Sequence, residues 1–323
     1  MIRIKLTAPQ GIWRQTLGRR GVWGNCQFFR DTEECDYWVV LDSFLAHREN
    51  TRCPKGNVIL LTGEPPGVRT YDRNFLQQFA TVVTCHRNLS HPHVINTQLL
   101  PWLVNKDYDQ LKAMNCFEKT REISLICSTK AFTKGHRKRL KFAQAVNENF
   151  KSNIDIYGRG IRPIEDKWDA IATYKYHIVL ENGSYPDYWT EKLSDAFLGG
   201  AYPFYYGCSN LSDYFPARSY TQINIDDIAR SIQIIKDTVA NNEYAKSVNN
   251  LMLARKLILD KYNLFAVIAE MCSGDAVRTE KSEVSLKPER MFSIKRRIRE
   301  RLRPRSRVNR LEELIWKPRL LQQ

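Results

Sequence analysis

Short apolar runs alternate with amphipathic, helix-like segments along most of the chain, a pattern typical of parallel sheets with helices packed on them. The runs that predict strands are residues 2–6, 37–41, 58–61, 80–84, 123–127, 154–157, 176–180 and 202–206. Helices are predicted over residues 136–150, about 188–198 and much of 226–259. The sequence therefore predicts an α/β protein.

A polar stretch, residues 115–121, separates the two strand series. The length of 323 residues suits about two domains. We therefore predict a first domain over residues 1–118 and a second over 119–272. Residues 273–323 are predicted to be a polar linker followed by a basic tail.

The composition argues against a disordered protein and against one with membrane-spanning helices. Hydrophobic residues make up 43% and aromatic residues 11%, which argues against disorder, and no apolar run approaches the roughly 20 residues of a membrane span. The amino terminus alternates apolar and basic residues, which favours a half-buried strand over a signal peptide. The eight cysteines include no Cys-x-x-Cys pair. We expect reduced, partly buried thiols and a cytoplasmic protein.

The positive charge is concentrated at the carboxyl terminus. Residues 287–323 hold thirteen basic residues and four glutamates, so this tail carries +9 of the net charge of +15. Met291, Ile294, Ile298 and Leu302 recur at helical spacing among the basic residues, which predicts a helix bound peripherally to the anionic inner face of the membrane. A docked helix and a disordered tail are the alternatives. The body is only moderately basic, so we expect no nucleic-acid partner.

The densest cluster of candidate functional residues covers residues 174–192. A predicted buried strand ends at Leu180, a polar loop follows, and a helix with Glu191 and Lys192 in its first turns comes next. Ligands of open α/β sheets lie beyond the carboxyl ends of strands, and helix amino termini offer N–H groups to anions. This arrangement predicts a diphosphate site, with an ordinary capped helix as the alternative.

Within this cluster, Tyr-Lys-x-His-x-x-x-Glu-Asn is followed by Asp-Tyr-x-Thr-Glu-Lys-Leu and Ala-Tyr-Pro-x-x-Tyr-Gly. Together with the residues that continue to about position 227, this run resembles the donor-site signature of the alpha-1,3/4-fucosyltransferases, glycosyltransferase family 10. The resemblance implies a GT-B fold, in which two Rossmann-like domains face each other across a cleft. It also implies that the carboxyl-terminal domain binds a GDP-sugar.

The resemblance assigns site residues. Asn182, Tyr188, Glu191 and Lys192 fall on the family's donor-binding positions. Arg139, in Arg-x-x-Phe on the basic helix, resembles the arginine that contacts the donor diphosphate. A solvated basic face is the competing interpretation of Arg139.

Thr62-Gly63-Glu64-Pro65-Pro66 resembles the family's Thr-Gly-Glu, whose glutamate is the proposed catalytic base. Glu64 follows a predicted buried strand and lies in a turn stiffened by two prolines, so its carboxylate would face the cleft. The competing interpretation is a surface turn.

The function implied is inverting transfer of fucose from GDP-fucose to a glycan hydroxyl, in the synthesis of cell-surface polysaccharide or lipopolysaccharide. Glu64 and Glu191 would be catalytic, and no metal or other cofactor would be required. The alternatives are a GT-B transferase with a different nucleotide-sugar donor and a non-enzymatic protein that binds through its basic tail.

Two patterns suggest metals only weakly. Asp107-Tyr108-Asp109 matches the Asp-x-Asp of metal-dependent glycosyltransferases, but we interpret so short a motif as a solvated turn. Cys85, His86, His91 and His93 fit no structural zinc spacing well. A core thiol beside surface histidines is the preferred interpretation.

Overall fold

A computed structural model describes residues 1–97, 100–129, 133–273 and 280–292 of the chain. These residues form two α/β domains, each built around a largely parallel sheet. The GT-B-type fold class, with two Rossmann-like domains, is therefore confirmed.

The first domain contains a sheet of seven described strands in the order β2-β3-β1-β4-β6-β7-β8, parallel except for the β2–β3 pair. Its elements are β1 (Ile2–Thr7), β2 (Val22–Trp23), β3 (Cys26–Phe29), β4 (Tyr37–Leu41), β5 (Glu49–Cys53), β6 (Val58–Leu61), α1 (Arg73–Leu76), β7 (Thr81–Thr84) and β8 (Val94–Asn96). Strand β4 is buried along its whole length, as its continuous apolar run predicts.

Helix α2 (Tyr108–Ala113) lies between the domains, and the second domain follows it. Its sheet has the order β10-β9-β11-β12-β13, with every pair parallel. Its elements are β9 (Arg121–Ile126), α3 (Lys134–Phe150), β10 (Ile154–Tyr157), β11 (Tyr174–Leu180), α4 (Glu191–Leu198), β12 (Tyr202–Tyr206), β13 (Thr221–Gln222), α5 (Ile228–Ala240) and α6 (Glu243–Lys256).

The chain then returns to the first domain. Helix α7 (Leu264–Cys272) buries Leu264, Phe265 and Ile268 in the core of the first sheet, and β14 (Ser282–Leu286) pairs antiparallel with β5. The sequence assigned these segments to the second domain and to a linker. The placement differs because this return buries the apolar face of α7 against the first sheet and gives the edge of β5 the partner β14.

The segment between the two sheets is also structured. Trp102, Val104 and Leu111 are buried in the second domain's core. Asp107 caps α2 and pairs with Arg19 of the first domain at 2.7 Å. The interpretation of Asp107 as part of a solvated turn was therefore wrong, because its carboxylate serves as a buried helix cap.

Strand β1 is more buried than its alternation predicted. It lies between β3 and β4, where Lys5 is 1% exposed. The Lys5 ammonium lies 3.2 Å from a Glu49 carboxylate oxygen and 4.5 Å from the centroid of a Trp38 ring. These two contacts compensate the burial of the charge.

All eight cysteines are free thiols, and Cys116 is the exposed one. In the part of the chain that the structure describes, no helix combines the length and the apolarity that crossing a membrane requires. The predicted basic helix of the tail falls almost wholly on residues 293–323, which lie outside the described residues.

Candidate active site

The second sheet reverses its strand order at β9, which has β10 on one side and β11 on the other. Connections on opposite sides of such a point leave a crevice at the carboxyl ends of the strands. Glu181 and Asn182 follow β11 directly at this edge, and Cys127 and Ser128 follow β9. The sequence motif is therefore positioned where this fold places its ligands.

Helix α4 begins at Glu191, with Thr190 as its amino-terminal cap, rather than near residue 188. Buried Glu181 accepts hydrogen bonds from the Thr190 backbone N–H at 2.9 Å and from the Thr190 hydroxyl at 2.8 Å. The carboxylate of Glu181 thus lies against the cap of the helix, where a negative charge is favourable. A diphosphate contact at this helix terminus remains a prediction, and the cationic side chains beside it are further candidate anion ligands.

Lys192 is the first of these cations. Its ammonium lies 3.1 Å from a Glu191 carboxylate oxygen and 3.3 Å from one of Glu181, and it donates to the Thr190 hydroxyl at 3.1 Å. Burial alone would lower the pKa of Lys192, but the two carboxylates outweigh it and raise that pKa. Burial raises the pKa of Glu181, and Lys192 partly offsets this rise.

Lys167 is a second cation, which the sequence did not single out. Its ammonium lies 3.1 Å from Asp195 and 3.8 Å from Glu191. Burial would raise the pKa of Glu191, but Lys192 and Lys167 outweigh it and hold that pKa at about 2. Glu191 is therefore ionised at any ordinary pH. Lys167 lies in a short 3-10 turn outside the motif, so no spacing pattern pointed to it.

Arg139 of α3 is 8% exposed, so the interpretation as a solvated basic face was wrong. Its Nη1 donates to the Leu180 carbonyl at 3.2 Å and to the Asn182 side-chain oxygen at 2.7 Å. Its Nε is buried with no hydrogen-bond partner among the described residues. An unused guanidinium donor at the end of the sheet is suited to an anionic ligand. The close approach of α3 requires Gly135, where a Cβ would lie 2.2 Å from the Asn182 carbonyl oxygen.

A cavity of about 160 Å³ lies beside these cations. Arg139, Lys167 and Lys192 line it together with Asp195 and Ser128. The two lysines are paired with the carboxylates of Glu181, Glu191 and Asp195, so the unused Nε–H of Arg139 is the feature of this cavity that favours an anionic ligand.

Glu64 approaches this cluster from the first domain. It follows β6 in a turn formed by residues 62–67, which we call the Glu64 turn. Burial, Asp42 and Glu191 raise the pKa of Glu64, whereas Lys192 and a hydrogen bond with Asn182 lower it, and the net effect is a raised pKa. Since the Asn182 oxygen accepts from Arg139, its amide N–H faces the carboxylate of Glu64. The structure thus brings the predicted residues of both domains together.

Tyr188 lies deeper in the same cluster. It is 1% exposed, and its carbonyl accepts a hydrogen bond from the Tyr205 hydroxyl at 3.3 Å. Burial first, then Glu181 and Glu64, raise the pKa of its phenol. Tyr188 therefore stays protonated and neutral. Its contact with a donor remains a prediction.

Two of the histidines that weakly suggested a metal site instead form hydrogen bonds with backbone carbonyls. His86 is buried, and its Nε2 donates to the Glu64 carbonyl at 2.9 Å, so it is not the surface histidine that was expected. His91 bonds the Phe79 carbonyl at 3.0 Å. Across the described ranges, no cluster of three His, Cys, Asp or Glu side chains is arranged to hold a metal ion.

The described residues thus define the class of two-domain α/β proteins, in which cations at the strand ends of one parallel-sheet domain face a carboxylate from the other. Residues 116–249 match the family described as "Glycosyltransferase family 10 (fucosyltransferase) C-term". The match covers the sheet and most of the helices of the second domain, and over these residues it confirms the resemblance seen in the sequence.

Curated relatives match a little less than half of the chain. The 4-galactosyl-N-acetylglucosaminide 3-alpha-L-fucosyltransferase 9 of Mus musculus is 29% identical over 152 residues, which are 46% of this chain and 38% of that protein. Its Homo sapiens counterpart is 28% identical with the same coverage. The chain thus spans well under half the length of these relatives.

Among solved structures, an alpha1,3-fucosyltransferase with GDP has a TM-score of 0.47 and 15% identity. That match covers 82% of this chain and 92% of the solved one. The structure of an alpha1,3-fucosyltransferase with GDP-fucose has a TM-score of 0.45 and 15% identity, covering 76% and 81%.

Proposed function

We propose that the protein is an inverting glycosyltransferase that moves fucose from GDP-fucose to a hydroxyl of a glycan acceptor. One observation carries this proposal: Glu64 of the first domain lies against Asn182, beside the cations Arg139 and Lys192 of the second. This arrangement supports the proposal of a base next to a diphosphate site. The printed names of the family and of the curated relatives supply the sugar, and the resemblance of the sequence motif to the family implies the GDP nucleotide.

In the proposed reaction, the Glu64 carboxylate accepts the proton of the acceptor hydroxyl while that oxygen attacks the anomeric carbon of the donor. The new carbon–oxygen bond forms as the bond to the diphosphate breaks, and the electron pair leaves on the phosphate oxygen. Arg139 and Lys192 stabilise this developing charge. The raised pKa of Glu64 makes it a stronger base than an ordinary glutamate.

A donor panel tests this function. Thermal shift should show stabilisation by GDP and GDP-fucose and little by UDP, CDP or their sugars, because a ligand that binds only the native state raises the melting temperature. A radiolabelled transfer assay should then show fucose on a glycan. A larger shift with another nucleotide would favour the alternative donor, and a shift with none would favour the non-enzymatic binding protein.

We expect transfer to be independent of divalent metal ions, because Arg139, Lys167 and Lys192 provide the positive charge that a diphosphate needs. Activity should be unchanged after treatment with EDTA. The expectation would be contradicted if EDTA abolished the activity, manganese restored it, and the Asp107→Ala variant were inactive. Asp237→Asn is the control, because Asp237 is exposed on α5, outside both the Asp-x-Asp motif and the cation cluster.

We propose that the tail holds the enzyme at the cytoplasmic face of an anionic membrane, where cell-surface polysaccharide or lipopolysaccharide would be the acceptor. Because Glu289 pairs with Arg69 at the first domain, the appropriate truncation begins at residue 293, not 287. Removing residues 293–323 should abolish sedimentation with anionic vesicles and spare transfer to a soluble acceptor. Salt should weaken binding of the full chain, because it screens surface charge. Equal sedimentation of both proteins would contradict the proposal.

A further inference from the structure

A buried carboxylate in the second domain is paired with a cation from the first. Asp187 is 4% exposed and lies in the loop of residues 183–187, which precedes α4 and which we call the donor loop. Its side chain accepts hydrogen bonds from Asn210 at 2.9 Å and from the Tyr214 hydroxyl at 2.8 Å. Both of these partners are neutral. The cation that faces Asp187 is Arg87, which follows β7 of the first domain.

The same bonds define the shape of the donor loop. Asp187 has a φ of 59°, a left-handed conformation that is unfavourable for most residues with a side chain. Its backbone N–H donates to the Asn210 side chain at 2.7 Å. Asp187 therefore keeps this conformation through its hydrogen bonds and its pairing with Arg87, so a change at Arg87 acts directly on the donor loop.

The residue before Arg87 holds the Glu64 turn. The Nε2 of His86 donates to the Glu64 carbonyl at 2.9 Å, and the His86 backbone N–H donates to the Thr84 hydroxyl at 3.1 Å. Consecutive Cα atoms lie about 3.8 Å apart, so these two contacts are mechanically linked. One short segment thus contacts the candidate base on one side and the donor loop on the other.

A second contact joins the same two loops. A Cβ on Gly67 of the Glu64 turn would lie 2.4 Å from the Tyr185 hydroxyl of the donor loop. The Tyr185 hydroxyl therefore lies against Gly67, so close that a side chain at position 67 would displace it. The two loops meet directly as well as through residues 86–87.

We propose that His86 and Arg87 are positioning residues, which align Glu64 with the donor loop across the two domains. Arg87 holds the donor loop through Asp187, and His86 holds the backbone of Glu64. This role rests on the proposed function and deepens it, because it concerns the distance between base and donor. It predicts a loss of turnover without a loss of nucleotide affinity, since the proposed diphosphate ligands Arg139 and Lys192 are untouched.

The test uses Arg87→Gln, Arg87→Lys, Asp187→Asn and the double variant Arg87→Gln/Asp187→Asn in the full chain. Arg87→Gln should lower kcat for transfer at least about tenfold, with the Kd for GDP unchanged within about twofold, and Arg87→Lys should restore most of the rate. The double variant should be no slower than the worse single variant, because both single changes remove the same contact. Arg218→Gln is the matched control, since it removes an arginine–glutamate pair within the second domain.

Hydrogen exchange gives a readout that needs no substrate. Arg87→Gln should accelerate amide exchange in residues 183–188, and Arg218→Gln should not. Wild-type turnover in Arg87→Gln, or a rate loss that Arg87→Lys fails to restore, would overturn the positioning role, and so would unchanged exchange in the donor loop. Wild-type protein that neither binds GDP nor transfers fucose would instead overturn the proposed function.

Discussion

Replacing Glu64 with glutamine is expected to lower kcat by at least about a hundredfold, because general-base catalysis typically contributes about 10²- to 10⁴-fold. Glutamine keeps the shape of the side chain and its contact with Asn182 but cannot accept the acceptor's proton. The affinity for GDP should change little, because the proposed diphosphate ligands are in the other domain. Steady-state kinetics combined with calorimetric GDP binding would measure both quantities.

The matched control is Glu283→Gln, an exposed glutamate of β14 in the same domain, which should behave as wild type. If Glu64→Gln kept wild-type turnover, or lost GDP binding instead of rate, Glu64 would not be the base. The variant should otherwise be well folded, because the Glu64 carbonyl still accepts the bond from His86.

The pH dependence of kcat/KM provides an independent check of the same residue. The base acts only when it is deprotonated, so activity should fall as the pH falls through the raised pKa of Glu64, above the ordinary range of a glutamate. Lys192 lowers that pKa, so removing Lys192 should move the acid limb to higher pH in whatever activity remains. An acid limb in the same place in Glu64→Gln would assign the titration to another group.

Replacing Lys192 with alanine is expected to lower kcat by about 10²- to 10³-fold and to weaken GDP binding, because it removes a cation from the proposed diphosphate site. The change also leaves buried Glu181 without its ammonium partner at 3.3 Å. Removing one partner of a buried pair is strongly destabilising, so the single variant alone could not separate lost chemistry from lost stability.

A second variant separates the two effects. Lys192→Ala/Glu181→Gln removes the cation and the most deeply buried of its carboxylate partners together, so the melting temperature should recover toward wild type. Activity and GDP affinity should not recover. Lys175→Ala, which breaks a more exposed pair with Glu122, is the control for loss of a lysine from the same domain. Recovery of activity in the double variant would contradict a direct role for Lys192.

The sequence predicted the strands and helices that form because of the residue pattern within their own segment. Strands β4, β6, β10 and β12 lie at the predicted positions, because each is a short apolar run between turn signals. Helix α4 was placed about three residues too early, since Thr190 competes successfully for the cap position and keeps Tyr188 outside the helix.

Features that depend on distant residues were missed. Strand β14 is a polar segment that forms only because β5 presents an open edge more than 200 residues earlier in the chain. Lys167 is recognised as a candidate site residue only from its ion pairs with Asp195 and Glu191, which are more than 20 residues away in the sequence. Glu181 belongs to the Glu-Asn pair of the motif, but its hydrogen bonds with Thr190, the cap of α4, could not be predicted from the sequence.

The return of α7 and β14 to the first domain has a consequence for biosynthesis. The ribosome releases the chain from the amino terminus, and domains usually fold in that order. Here the first sheet cannot acquire the covering helix α7 until after residue 272, or the partner of β5 until after residue 286. The second domain, whose sheet and helices lie between residues 121 and 256, is therefore expected to fold first. The amino-terminal half would leave the ribosome with apolar surface that stays exposed until residues 264–286 have followed.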